Sequence, residues 1–505
     1  MIDDAELWTR ARAAAADRHT ITALGVPSPV LMERAALACV AALESVRAGR
    51  AVLVLCGPGN NGGDGVAIAR ILHMRGVAVR VALLAERCAG ALAEQVAVAE
   101  RVGVAITRGL PATADGVIVD AMLGTGATLP LRAPYLEAVA WANAAAATRV
   151  AVDLPTGVDA DSGAVGAAAL RADVTVTFER SKPGLHVTPA RAYVGELVVA
   201  RIGLAEATGE LAERTGLIGP AQVREWLARL PAGAHKGERG HLGIVGGSAG
   251  TPGAAVLAGA TALRGGAGLV TIASGDPEVQ AQLLALRPEL MVTGRGEPPV
   301  PAATALVVGP GLTRASDRDG LAGLYRGDPR PAVWDASALA EIAGAEVGGP
   351  RVLTPHPAEA ARLLTARTGR TWTNREVQAD RMAAARGIAA VSGAVVVLKG
   401  EGTVVAGPGQ IAINVSGGPA LATAGTGDCL AGLIGALLVR GMGAWEAACA
   451  GVYVHGVAGE WLASEDCADQ LGYWKKKCAA MPGTACNVRW RWPEVPSDCP
   501  TPTPA

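Results

Sequence analysis

Aromatic side chains are scarce in this sequence: Phe, Tyr and Trp make up 3% of 505 residues, with a single Phe. A core without them must pack small aliphatic groups closely, and Ala, Val, Leu and Gly supply that mass in a chain that is 50% apolar. Charge of one sign is also missing. Lys plus Arg number 45 and Asp plus Glu 46, a formal net charge of -1, so no field draws in DNA, RNA or an anionic membrane. No run reaches the about 18 uninterrupted apolar residues of a membrane helix, because Gly, Thr and charges break each one. The opening MIDDAELWTR has no basic segment before an apolar run, as a secretory leader would. A strict Gly-X-Y period is absent despite 66 glycines, which excludes collagen. The nine cysteines match no zinc spacing. Cys39, Cys56, Cys88, Cys429 and Cys449 read as buried reduced thiols, and Cys467, Cys478, Cys486 and Cys499 crowd the tail with no His beside them. These absences predict a cytoplasmic enzyme without nucleic-acid or membrane partners.

What is present is a repeated strand–loop–helix pattern. Residues 5–48 predict helices broken by a loop at Gly25–Pro29. Continuous apolar runs at 51–59, 77–85, 115–126, 148–159 and 172–178 predict strands, with helical periodicity between them. Strands of that character alternating with helices signal a parallel sheet covered on both faces. The pattern restarts near 215, with strands expected at 241–250, 305–311, 331–337, 351–355 and 394–400 and a long helix from 425. The expectation is α/β: two three-layer α/β/α domains over 1–215 and 216–465, then an aperiodic Cys-, Trp- and Pro-rich tail over 466–505.

The first loop with chemistry is Gly57-Pro58-Gly59-Asn60-Asn61-Gly62-Gly63-Asp64-Gly65, after a strand and at the opening of a helix. Helix N-termini welcome anions and glycines permit close backbone approach. The glycine order is neither a dinucleotide fingerprint nor a phosphate loop with its Lys. Asp120 ends GVIVD and Asp153 ends RVAVD; residues just past strand ends line the ligand crevice of such sheets. One strand-end Asp is often only a helix cap. Several at successive strands predict a site, where oxygens of Asn61, Asp120 and Thr156 would suit a hard cation.

Together, VPSPVLMERAA, GPGNNGGDG, DAMLGTG and VDLPTGVD resemble the NAD(P)H-hydrate epimerase domain, the YjeF N-terminal type, over about residues 5–210. The resemblance implies a Rossmann-like sandwich that binds potassium and interconverts the R and S epimers of hydrated NADH and NADPH. It implies substrate contacts from Asn60, Asn61, Gly62, Gly63 and Asp64, and from Gly124, Thr125, Gly126, Ala127, Thr128, Leu129 and Pro130. Potassium would touch Asn61, Asp120 and Thr156, and Asp153 would contact substrate as the acid–base residue. Ala36 stands where the family often has Gly.

In the second half, Gly425-Thr426-Gly427-Asp428 precedes a long helix. Its amides would hold phosphoryl oxygens, and Asp428 would serve as base for a substrate hydroxyl, as carboxylates do in phosphoryl transfer to alcohols. A capping Asp is the structural alternative. Lys399-Gly400-Glu401-Gly402-Thr403 follows the strand AVVVL, and His356 lies in a Pro-bounded loop. HKGERGHLGIVGGSAGTPGAA, ALRGGAGLVT, VVGPGL, LTPHPAE, VVLKGEGT and ATAGTGDCLAG are similar to the ADP- or ATP-dependent NAD(P)H-hydrate dehydratases of the ribokinase-like group, over about 220–462. That likeness implies dinucleotide contacts from Ala254, Gly311, His356 and Asp428. It implies adenine-nucleotide contacts from Lys399, Gly400, Glu401, Gly402, Thr403 and Gly427, with a magnesium ion accompanying ADP or ATP. The implied chemistry phosphorylates the C6 hydroxyl, ADP becoming AMP, and then eliminates phosphate.

Two rivals stand beside this reading. One is a ribokinase-like small-molecule kinase fused to a dinucleotide-binding domain; the other is a sensor that binds dinucleotide without turnover. ADP against ATP preference and a homo-oligomeric state are left open by the residues.

Overall fold

The computed structural model describes residues 5–464 except 115, 207–213, 228–232, 234, 297 and 343–345. The four tail cysteines and the expected 466–505 segment lie outside the described residues.

Seven strands form the first sheet: β1 (Val52–Cys56), β2 (Val79–Leu83), β3 (Ala105–Arg108), β4 (Gly116–Ala121), β5 (Ala147–Val152), β6 (Val174–Phe178) and β7 (Glu196–Ala200). Their order is β3-β2-β1-β4-β5-β6-β7, every pair parallel. Both faces are covered, and β1 shows how. Val52, Val54 and Cys56 pack with the helices Ser28–Arg47 and Asn60–Met74, while Leu53 and Leu55 pack with Tyr135–Ala144 on the other side. Period-2 alternation therefore divides one wholly apolar strand between two cores.

The second sheet contains β8 (Arg214–Leu217), β9 (His241–Val245), β10 (Leu269–Ala273), β11 (Met291–Thr293), β12 (Ala305–Val308), β13 (Ala332–Trp334), β14 (Arg351–Leu353), β15 (Val395–Leu398), β16 (Thr403–Gly407) and β17 (Gln410–Asn414). The order is β11-β10-β9-β12-β13-β14-β15-β16-β17-β8. It is parallel from β11 to β15, then antiparallel through β16 and β17, with β8 parallel to β17. One face packs on the helices Pro252–Arg264 and Thr426–Val439, and the other on Pro357–Thr368 and Arg381–Ser392, with Trp334 and Tyr325 edge to face at 5.0 Å. Both halves are thus three-layer α/β/α sandwiches.

Three details differ from the sequence reading. The helix after β1 begins at Asn60, so the Asn-Asn-Gly-Gly-Asp run is its first turn and not a loop. The glycines there serve protein packing: a methyl at Gly62 would stand 2.0 Å from the Gly57 carbonyl oxygen, and one at Gly65 2.5 Å from Ala121 Cβ. The β16–β17 hairpin, turned by Gly407-Pro408-Gly409-Gln410, breaks the expected all-parallel pattern. Finally, helix begins at Arg10 and not at residue 5; Ala5–Leu7 run extended along β8. The Leu7 amide donates to the Thr215 carbonyl at 3.0 Å, the Leu217 amide to Ala5 at 2.6 Å, and the Leu7 side chain is buried in the second half's core. The expected boundary at 215 falls inside β8.

Of the five described cysteines all are free thiols; four are buried, and Cys88 is only half-buried. Among the described residues no helix is long and apolar enough to cross a membrane.

Candidate active sites

In the first sheet the strand order reverses between β1 and β4, where loops part and leave a crevice at the strand C-termini. Asp120, at the end of β4, is fully buried there. It accepts hydrogen bonds from the Thr156 amide (2.8 Å), the Thr156 hydroxyl (2.8 Å) and the Met122 amide (3.1 Å). Burial pushes its carboxyl up to about 6 against the pull of those bonds. No Lys, Arg or His pairs with it among the described residues. Asn61 is buried on the same loop cluster and its Nδ2 has no partner.

Asp153 follows β5 with φ +67°, a conformation that only a well-held non-glycine residue keeps. Its Oδ1 accepts from Lys182 Nζ at 2.7 Å and from the Thr177 hydroxyl at 3.3 Å; its Oδ2 accepts from the Thr125 amide at 3.3 Å. A methyl on Gly124 would stand 3.3 Å from both Asp153 Oδ2 and Asn61 Cγ, so Asn61, Gly124, Thr125 and Asp153 form one cluster. Burial, and then the charge on Asp153, hold the Asp64 carboxyl well above the usual carboxylate range. Asn60, Gly126, Thr128 and Pro130 face solvent at the rim, while Leu129 leans on the apolar cluster beneath.

The second sheet reverses between β9 and β12. Gly311 follows β12 with φ +72°, and a methyl there would strike the Thr251 carbonyl at 2.4 Å and approach Ala254 Cβ at 3.2 Å. Ala254 and Gly311 therefore adjoin, as expected of one binding surface. Lys399 Nζ donates to Asp335 Oδ1 at 2.7 Å, and the same oxygen accepts from the Thr354 hydroxyl at 2.7 Å. A methyl at Gly427 would stand 3.4 Å from Lys399 Nζ, which joins the Lys399 loop to the Gly425–Asp428 turn.

Asp428 does not cap its helix. Gly425 is the N-cap, and no hydrogen bond to the Asp428 carboxylate exists among the described residues. Burial and the nearby Asp335 charge raise it to about 6, with Lys399 pulling the other way. His356, by contrast, is a cap. Its Nδ1 accepts from the Ala358 (3.1 Å) and Glu359 (3.3 Å) amides, and Glu359 returns a bond to the His356 amide at 2.8 Å. An accepting Nδ1 fixes the proton of the neutral ring on Nε2.

Three residues passed over in the sequence belong to these sites. Lys182 holds Asp153, Asp335 holds Lys399, and buried Arg381 donates to the Leu398 (3.0 Å) and Lys399 (3.2 Å) carbonyls, shaping the Lys399–Thr403 loop. Asp335 ends its strand as Asp120 and Asp153 do, so the same rule would have found it. Glu401 turns away toward the first half, meeting the Thr188 hydroxyl at 3.0 Å and Arg191 at 3.7 Å, and a methyl at Gly402 would strike the His186 carbonyl at 2.5 Å.

Residues 28–184 match the family described as YjeF-related protein N-terminus, and residues 242–474 match that described as NAD(P)H-hydrate dehydratase. The bifunctional NAD(P)H-hydrate repair enzyme Nnr of Escherichia coli K12 is 37% identical over 462 residues, covering 89% of this chain and 88% of that one. Its namesake from Moorella thermoacetica is 38% identical over 499 residues, covering 90% and 92%. A Bacillus subtilis ADP/ATP-dependent NAD(P)H-hydrate dehydratase crystallised with ATP and Mg2+ is 32% identical, with a TM-score of 0.45 over 49% of this chain and 90% of that chain.

Proposed function

Because the chain belongs to the bifunctional NAD(P)H-hydrate repair enzymes, we propose that its two sites act in series on hydrated NADH and NADPH. The first equilibrates the R and S epimers at nicotinamide C6, and the second dehydrates the S form at the expense of ADP, giving NAD(P)H, AMP and phosphate. The observation that carries this is Asp428: a carboxylate without hydrogen-bond partners among the described residues, in the Gly425–Asp428 turn, beside a lysine already committed elsewhere.

At the second site Asp428 accepts the C6 hydroxyl proton as that oxygen takes the terminal phosphoryl group. Amides of the turn hold the phosphoryl oxygens, and Lys399 supplies positive charge beside them. Phosphate then leaves C6 with the C–O bond electrons, pushed by the ring nitrogen, and loss of a C5 proton completes the double bond. At the first site Asp153 assists loss of the C6 hydroxyl as water and its return to the other face of the ring.

Two ions fit. Asn61, Asp120 and Thr156 would hold potassium: Asp120 is a buried carboxylate without a cationic partner, and Asn61 carries an orphaned amide end whose oxygen and nitrogen can exchange by a flip. Potassium would supply a positive charge that anchors the loops under the substrate. Magnesium would neutralise the transferring phosphoryl group.

The test is recovery of absorbance at 340 nm from mixed epimers of hydrated NADH. Full recovery with ADP is expected; recovery of the S fraction alone would remove the epimerase, and none would remove the dehydratase. A small-molecule kinase would instead consume ATP with an unrelated alcohol and leave the hydrates untouched.

A further inference from the structure

We propose that Lys182 is the positioning residue of the epimerase site, the clamp that fixes which oxygen of Asp153 meets the substrate. The proposal rests on Asp153 acting there.

Lys182 lies four residues past β6 and its side chain is 3% exposed. Its ammonium has three donors and uses three acceptors: Asp153 Oδ1 at 2.7 Å, Thr177 Oγ1 at 2.7 Å and the Phe178 carbonyl at 3.2 Å. No donor is left for a ligand, and an ammonium engaged in this way is a poor nucleophile. It acts through the group it touches. Thr177, which accepts from Lys182, donates its own proton to Asp153 Oδ1, so two donors converge on one oxygen.

The other carboxylate oxygen is treated differently. Asp153 Oδ2 receives one long bond, 3.3 Å from the Thr125 amide, and borders Gly124 and Asn61 in the crevice. The carboxylate thus has an anchored oxygen and a working oxygen, and the distinction is made by Lys182 and Thr177. The same contact opposes the strain of φ +67° at Asp153: without a tether the residue is free to relax and swing the carboxylate out of line. A small misplacement of an acid–base group costs rate without costing binding, since the expected substrate contacts are spread over the helix start at 60–64 and the segment 124–130.

The experiment uses the full chain, whose dehydration of the pure S epimer reports folding independently. Epimerisation is measured above the uncatalysed rate in Lys182→Met, Lys182→Ala, Asp153→Asn and the double variant Asp153→Asn/Lys182→Met. Asp153→Asn is expected to lose at least ~100-fold in kcat. Lys182→Met is expected to lose about 30-fold or more with KM within about threefold, and ethylammonium is expected to restore Lys182→Ala saturably. On the Asp153→Asn background the second change should cost nothing further, because Lys182 works only through Asp153. The double variant removes both charges of the pair, so it remains readable even if Lys182→Met alone fails to fold. Lys182→Met within threefold of the parent while Asp153→Asn is inactive would overturn the proposal and leave Asp153 standing. A further loss in the double variant, or no amine rescue in a folded Lys182→Ala, would overturn it too. An active Asp153→Asn would overturn the underlying reading of Asp153.

Discussion

Each half of the molecule contains a lysine–aspartate pair at 2.7 Å, and the two are wired differently. In the first half the lysine grips the carboxylate assigned to the chemistry. In the second, Lys399 grips Asp335, and the carboxylate assigned to the chemistry, Asp428, is left without a partner and raised to about 6. One arrangement fixes a charge in place. The other fixes a field, using a neutralised pair as the wall against which a free carboxylate is poised. An acid–base group whose working oxygen must stay in line benefits from the first, and a base poised to take up a proton near neutral pH from the second.

The strongest way to break this contrast is Asp428→Asn. It keeps the size and capping capacity of the residue, so fold and ADP affinity should persist while dehydration falls at least ~100-fold in kcat. Epimerisation should be unaffected. Turnover within tenfold of the parent would return Asp428 to a structural role.

A sharper cut is the pH profile. A base with a pKa raised to about 6 must be ionised to work, so kcat for dehydration should be flat above that value and fall about tenfold per pH unit below it. Lys399 lowers the Asp428 pKa, so Lys399→Met should move this acid limb to higher pH and weaken nucleotide binding. An unmoved limb would mean that the two do not share a field. The sign for stability is the opposite of a salt-bridged carboxylate: because the folded pKa lies above the unfolded 3.8, ionising Asp428 costs stability, and the cost builds as pH rises from 3.8 to about 6 and is complete above that.

A smaller effect is expected from Asp120→Asn. The epimerisation rate should lose its dependence on potassium and fall about tenfold, with dehydration intact, since one removed charge contact is commonly worth about 1–2 kcal/mol. Potassium density absent between Asn61, Asp120 and Thr156 in crystals grown in that salt would refute the assignment. Least of all should change on removing residues 475–505, beyond the last matched residue; dehydration is expected to stay within about threefold.

Strand ends carried most of what could be read from the sequence alone. Apolar runs located the strands, the rule that their C-termini face the crevice drew attention to Asp120 and Asp153, and the glycine turn feeding a long helix drew attention to Asp428. What stayed hidden was pairing. Lys182 lies 29 residues from Asp153 and Asp335 64 from Lys399, and nothing local to either residue names its partner. The helix start at Asn60 was misplaced for a related reason. Two Asn and two Gly are poor helix formers, and only the backbone of Gly57 pressing on Gly62 shows why small residues are required there. The resemblance alone made His356 a dinucleotide contact; the sequence did not show that its ring also closes the helix N-terminus beside its flanking prolines.

The extended segment Ala5–Leu7 has a meaning for how the protein is made. These residues leave the ribosome long before their partner strand β8 and the second-half core that receives Leu7 are made. Val187 shares that delay, being packed in the same second-half core. At about 5–20 residues per second, some 200 further residues take about 10–40 s, during which a folded first half carries an apolar end with nowhere to go. A nascent-chain complex stalled near residue 240 should therefore recruit chaperone or digest at its amino terminus, and one carrying Leu7→Ser should do so less.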